Sequence, residues 1–166
     1  HEGCLRVLHE LGGEAAASLS AADTNGSTPA HYATRGGHEG CLRVLHELGG
    51  KAAASLVAAD ADGDTPAHYA SQEGHEGCLR VLHELGGEAA ASVVAADEEG
   101  VTPAHTAADS GHEGCLRVLH ELGGEAAASL AAADADGVTP AHSAADNGNE
   151  GCLRVLHELG GEAAAS

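Results

Sequence analysis

Five cysteines, Cys4, Cys41, Cys78, Cys115 and Cys152, stand at a constant spacing of 37 residues, and so do the prolines Pro29, Pro66, Pro103 and Pro140. Strict self-similarity at a period of about 20–50 residues marks a stack of small supersecondary units, each burying its apolar face only against its neighbours. Between the landmarks the text scarcely changes, as in GHEGCLRVLHELGGEAAAS followed by Ala-Ala-Asp, two variable residues, Gly and Thr-Pro-Ala-His. Composition points the same way. There is no Phe, Trp, Met or Ile, and the aromatics are Tyr32 and Tyr69, so a single large core would have only Leu, Val, Ala and Cys to draw on. Thin layers need no more than that.

The text divides into a partial repeat over residues 1–22, repeats over 23–59, 60–96 and 97–133, and a last repeat over 134–166. Asp60-Ala61-Asp62-Gly63 reads as a turn, with Asp at its first position and Gly near its end. Thr65-Pro66 starts a helix, the Thr capping free amides and the Pro occupying a first-turn position where no donor is missed. Gly74 stops that helix. A second helix from about Glu76 carries Cys78, Val81, Leu82 and Leu85 on one stripe at i, i+3, i+4 and i+7, while Arg80, His83 and Glu84 lie off it. Gly86-Gly87 ends the second helix, and Glu88-Ala89-Ala90-Ala91-Ser92 has the composition of an added helical turn.

The pattern Asp-x-x-Gly-x-Thr-Pro-x-His-x-Ala, short helix, Gly-His, second helix, Leu-x-x-Leu-Gly closely resembles the ankyrin repeat, over the whole chain. The resemblance implies an all-α solenoid, a stack of helix-turn-helix layers joined by short turns or β-hairpin fingers. Two departures stand out. The family usually has Leu where this chain has Ala30, Ala67, Ala104 and Ala141, implying a thinner contact between helices. Its period is usually about 33 residues, which places about four extra residues in the Glu-Ala-Ala-Ala-Ser region and puts the finger in question. The resemblance also assigns His31, His68, His105 and His142 to tying the start of the first helix to neighbouring backbone.

Charge and spacing argue against other functions. A net charge of −19, from 26 acidic and 7 basic residues, repels nucleic acid and anionic membranes, and no stretch is apolar for the length of a membrane span. His75 and Cys78 fall at i, i+3, but zinc needs about four ligands around one point, and equivalent pairs are separated by the roughly 8–10 Å of packed helices. The same separation argues against disulfides between equivalent cysteines. Asp60-Ala61-Asp62-Gly63-Asp64 departs from a calcium loop at its Gly position and at Ser71, where the loop needs Glu. Ser, His and Asp recur at structural positions and converge on no triad. No catalytic residue, cofactor or metal ligand is therefore assigned, and the expected partners are proteins. Unpaired cysteines and the lack of a signal peptide in the segment point to a cytoplasmic home. The segment, which lacks Met throughout, is expected to be an excerpt of a longer array.

Apart from Arg35 and Lys51, every basic residue falls in one row, Arg6, Arg43, Arg80, Arg117 and Arg154, each with a Glu four residues on: Glu10, Glu47, Glu84, Glu121 and Glu158. Same-face pairs of this kind are worth a few tenths of a kcal/mol. They form either a self-compensating surface or an assembly ladder that docks on an identical ladder. Differences between copies are confined to the turn, the exposed end of the first helix and a spot before the turn. By the resemblance, the first two lie on the usual partner-binding face, making Tyr32, Arg35, Tyr69 and Gln72 candidate contacts. Near-identical repeats favour a structural array that self-associates into a solenoid, filament or tube over an adaptor holding a heterologous protein on its concave face. Recent duplication explains the copies better than design, because a helix-interior glycine such as Gly77 is retained in every one.

Overall fold

A computed structural model describes residues 2–163. His1, which heads the partial repeat, and residues 164–166, which close the last one, lie outside it. The partial layer supplies α1 (Glu2–Leu11) and the short α2 (Gly13–Ala17). The next three layers each have three α-helices: α3 (Pro29–Arg35), α4 (Glu39–Leu48) and α5 (Gly50–Ala54), then α6 (Pro66–Gln72), α7 (Glu76–Leu85) and α8 (Gly87–Ser92), then α9 (Pro103–Asp109), α10 (Glu113–Leu122) and α11 (Gly124–Ala128). The last layer has α12 (Pro140–Asp146) and α13 (Glu150–Ala163). The Gly-Glu-Ala-Ala-Ala text thus forms a third helix, set off from the second by glycines such as Gly86, at φ 74°.

Each layer opens on an aspartate-held turn. One Asp60 carboxylate oxygen accepts the Asp62 and Asp64 amides, both at 3.0 Å, and the Asp60 amide donates to the Asp64 carbonyl at 2.9 Å. Among the described residues there is no β-strand, so the fingers are short turns. They touch through single backbone bonds, from the Ala61 amide to the Asn25 carbonyl and from the Ala135 amide to the Glu99 carbonyl, both 2.9 Å.

First helices stack on first helices and second helices on second helices. Ala30, Ala67 and Ala104 are wholly buried in the first row, which takes alanine because the neighbouring helix occupies the space of a larger side chain. In the second row Leu79 is as deeply buried as Cys78, Val81 and Leu82, while Leu85 is half-buried. The apolar arc is wider than a single stripe because each of the internal second helices α4, α7 and α10 is covered by its own first helix and by second helices on both sides. Each buried Leu or Val contributes about 1.5–3 kcal/mol.

Gly77 has a packing reason. A Cβ there would overlap the Glu39 carboxylate of the preceding layer, and Gly40, Gly114 and Gly151 stand in the same relation to Glu2, Glu76 and Glu113. Ser71 lacks such a reason. Its hydroxyl is buried without a hydrogen-bond partner, whereas Thr34 at the equivalent position donates to the Ala30 and His31 carbonyls, and later copies have Ala108 and Ala145. Replacing Ser71 by Ala is expected to raise stability by about 1 kcal/mol, seen as a higher urea midpoint at unchanged slope.

Cys41, Cys78, Cys115 and Cys152 are buried and Cys4 is exposed. Burial, reinforced by the preceding layer's Glu39 or Glu76, pushes the Cys78 and Cys115 thiols up to about 12. With so little thiolate, native-state labelling is expected to be slow at Cys41, Cys78 and Cys115 and fast at Cys4. Equal, rapid labelling of all four would contradict the packing.

Candidate interaction surface

The seams between layers are closed by side chains that recur at every copy. His31, His68 and His105 occupy the third position of a first helix, where Nδ1 accepts the amide of the capping threonine at 3.0, 3.1 and 3.2 Å. Nε2 lies 3.1 Å from a carbonyl of the next layer, that of Asp64, Val101 and Val138 in turn. An acceptor at Nδ1 and a carbonyl at Nε2 fix the neutral tautomer that carries its proton on Nε2. In the last layer His142 keeps its bond to Thr139, but its ring is exposed.

A second row, unassigned by the repeat reading, ties each second helix back to the preceding first helix. His75 Nε2 meets the Arg35 carbonyl at 3.1 Å and His112 Nε2 the Gln72 carbonyl at 2.8 Å. Asn149, which replaces the histidine in the last copy, donates from its amide nitrogen to the Ala108 and Asp109 carbonyls at 2.9 and 2.7 Å. That exchange between His and Asn was the available sequence signal, since the two types share a donor at similar reach.

The Arg–Glu pairing expected within each helix is corrected by the structure. Arg6 pairs with Glu47, Arg43 with Glu84, Arg80 with Glu121 and Arg117 with Glu158, at 2.8, 2.7, 2.7 and 3.2 Å. Each bridge crosses a seam, because the long side chains reach the next stacked helix. Arg154 turns back to Glu150 at 3.1 Å, not to Glu158. Glu10 makes no ion pair with Arg6, whose guanidinium goes to Glu47. The four bridges across seams are about half exposed and the Arg154–Glu150 pair more so, and each adds at most a few tenths of a kcal/mol. The ladder is engaged along the stack.

On the turn and first-helix surface, Tyr32, Arg35 and Tyr69 come together around a small polar pocket of about 70 Å³, with His31 in its wall. Tyr32, 56% exposed, donates to Asp23 Oδ2 at 2.7 Å, and Tyr69 donates to Asp60 Oδ2 at 2.8 Å. The tyrosine hydroxyl and the Asn25 amide lower the Asp23 carboxyl. Gln72 is exposed but does not line the pocket. Arg35 faces Glu73 at 3.8 Å. Among the described residues no three His, Cys, Asp or Glu side chains are grouped to hold a metal ion.

The match to known proteins lies in the same repeated text. The family described as ankyrin repeats (3 copies) matches residues 1–93 and 87–165. The chain belongs to the ankyrin-repeat family. A search of curated proteins gives no match. Ankyrin repeats mediate protein–protein contacts and are generally non-catalytic scaffolds. No helix of the ankyrin array, among the described residues, is long and apolar enough to cross a membrane.

His31 also contributes to the array's response to acid. Burial holds His31 below the ordinary histidine range, although the Asp64 carbonyl and the carboxylates of Asp60, Asp64 and Asp23 pull upward. The unfolded chain then binds this proton more readily than the folded one. The contribution of His31 is whole above the ordinary value of about 6.5 and fades as pH falls through the lowered one. Thermal unfolding followed by circular dichroism from about pH 7 to about pH 5 should show a falling midpoint that is less steep in His31→Gln.

Proposed function

We propose that the ankyrin array is a non-catalytic structural scaffold whose near-identical layers continue into a long solenoid. The observation that carries this reading is the sameness of the seams. The Arg–Glu bridge and the wholly buried second-helix leucines recur from one layer to the next with little change. Because every layer offers its neighbours the same faces, the packing that buries Leu79 and Leu82 in one layer buries Leu116 and Leu119 in the next. Apolar burial at about 25 cal/mol per Å² favours adding a like layer to such a stack, whether covalently or from another copy. Head-to-tail contact of that kind is heterologous and gives an open assembly unless it closes into a ring. Lateral growth into a filament or tube through the Arg and Glu rows would have to break bridges already made along the stack.

The pocket at Tyr32, Arg35 and Tyr69 favours the second reading, an adaptor that holds a heterologous protein on that face. Electron microscopy and sedimentation of the native material separate the two. Long particles are the expected result. Dispersed single particles bounded by atypical polar repeats, with another protein held at Tyr32 and Tyr69, would leave only the adaptor. The reduced, buried thiols support a cytoplasmic site for either.

A further inference from the structure

The third helix of each of the three middle layers, α5, α8 and α11, creates a feature that the first two do not. Where it meets the end of the next second helix, an apolar groove opens at the seam. In the first groove Ala54 and Val57 face Leu85 across the Gly86–Gly87 corner, with a volume of about 320 Å³. The equivalent Ala91, Val94 and Leu122 line a second, of about 360 Å³. Ala128, Ala131 and Leu159 line a third, of about 270 Å³. The volumes are large enough for a leucine-sized side chain. The three form one row, on the side of the layer built by second and third helices and away from the pocket at Tyr32.

Two properties define what fits. The first is spacing: stacked helices repeat at roughly 8–10 Å, and seven residues of α-helix rise about 10.5 Å. A helix lying along the stack, with one apolar side chain per heptad, therefore meets one groove per heptad. The second is charge. Exposed Glu88 and Glu125 line the first two grooves, the arginines of the neighbouring ladder are engaged by glutamates, and the whole chain carries −19. A second copy, equally acidic, is repelled from this side. Lysine and arginine around the apolar stripe of a ligand helix are attracted to it.

We propose that the row of grooves docks a basic amphipathic helix from another protein, one apolar side chain seated in each groove and its Lys and Arg residues on the flanking glutamates. The proposal is independent of whether the array forms a long solenoid, since three consecutive grooves suffice. The probe is a fluorescein-labelled synthetic helix of about three heptads, with Leu at one position of each and Lys, Arg and Ala elsewhere. Its control has the same composition in scrambled order. Anisotropy titration of the full chain, at a protein concentration where sedimentation shows a single species, should give binding at least tenfold tighter for the heptad peptide. Ala54→Lys combined with Ala91→Lys should weaken it at least tenfold. Ala54→Gln with Ala91→Gln, which fills the grooves without adding charge, should also weaken it while leaving the circular dichroism unchanged. Tyr32→Ala should have no effect. Equal binding of the scrambled peptide, or loss of binding in Tyr32→Ala with retention in both groove variants, would overturn the proposal.

Discussion

Replacing His68 by Ala is expected to destabilise the array by about 3–5 kcal/mol, because it strips partners from both sides of a seam. The capping-box acceptor for the Thr65 amide is lost, and so is the donor to the Val101 carbonyl in the next layer. Thr65 is buried and Val101 half-buried, so water restores these bonds poorly. The imidazole, 1% exposed, also leaves a cavity and removes a hydrogen-bonded ring from a tightly packed row. The chain contains its own control. His142 makes the same capping contacts with Thr139, but its ring is exposed, so His142→Ala should cost about 1 kcal/mol or less, the scale of a cap alone. Urea unfolding of the two variants should differ by several-fold in lost stability. Equal losses would mean that the histidine acts only as a cap and that the bond across the seam contributes little.

Gly74→Ala should cost about 2–4 kcal/mol, from two independent sources. The first is backbone. Gly74 sits at φ 74° just after α6, where the His75 amide donates to the Ala70 carbonyl at 2.8 Å and the Gly74 amide to the Ser71 carbonyl at 3.4 Å. This pair of bonds is a Schellman ending, and its left-handed residue costs a side chain about 1–2 kcal/mol. The second is contact. A Cβ on Gly74 would lie 2.7 Å from Nδ1 of His112, whose ring is held by the bond from Nε2 to the Gln72 carbonyl. Moving the ring loses that bond. Gly74→Ala combined with His112→Ala should therefore be less harmful than the sum of the two single changes, because the clash vanishes with the ring. Strict additivity, measured by urea unfolding, would count against the contact and leave only the backbone cost.

The sequence by itself determined the layer. The 37-residue period, the Thr-Pro start, the glycine stops and the Cys–Val–Leu stripe are all written within one copy, because caps, turns and helical faces depend on residues a few positions apart. Even the added turn was legible as alanine-rich text. The partnerships across seams were not. Arg43 has Glu47 four residues on, yet it reaches Glu84, and the choice depends on how closely the next second helix packs. In a perfect repeat every copy offers the same residue types, so sequence pattern cannot separate a pair within a layer from one between layers. Gly77 and Glu39 show the same limit, since the need for a glycine lies in the side chain of another layer. The grooves beside α5, α8 and α11 depend on it most of all: alanines that look like helix-forming filler become walls only when stacking sets them opposite the leucine and glycine corner of the following copy. Local interactions fixed each layer, and three-dimensional stacking decided which of its identical side chains meet.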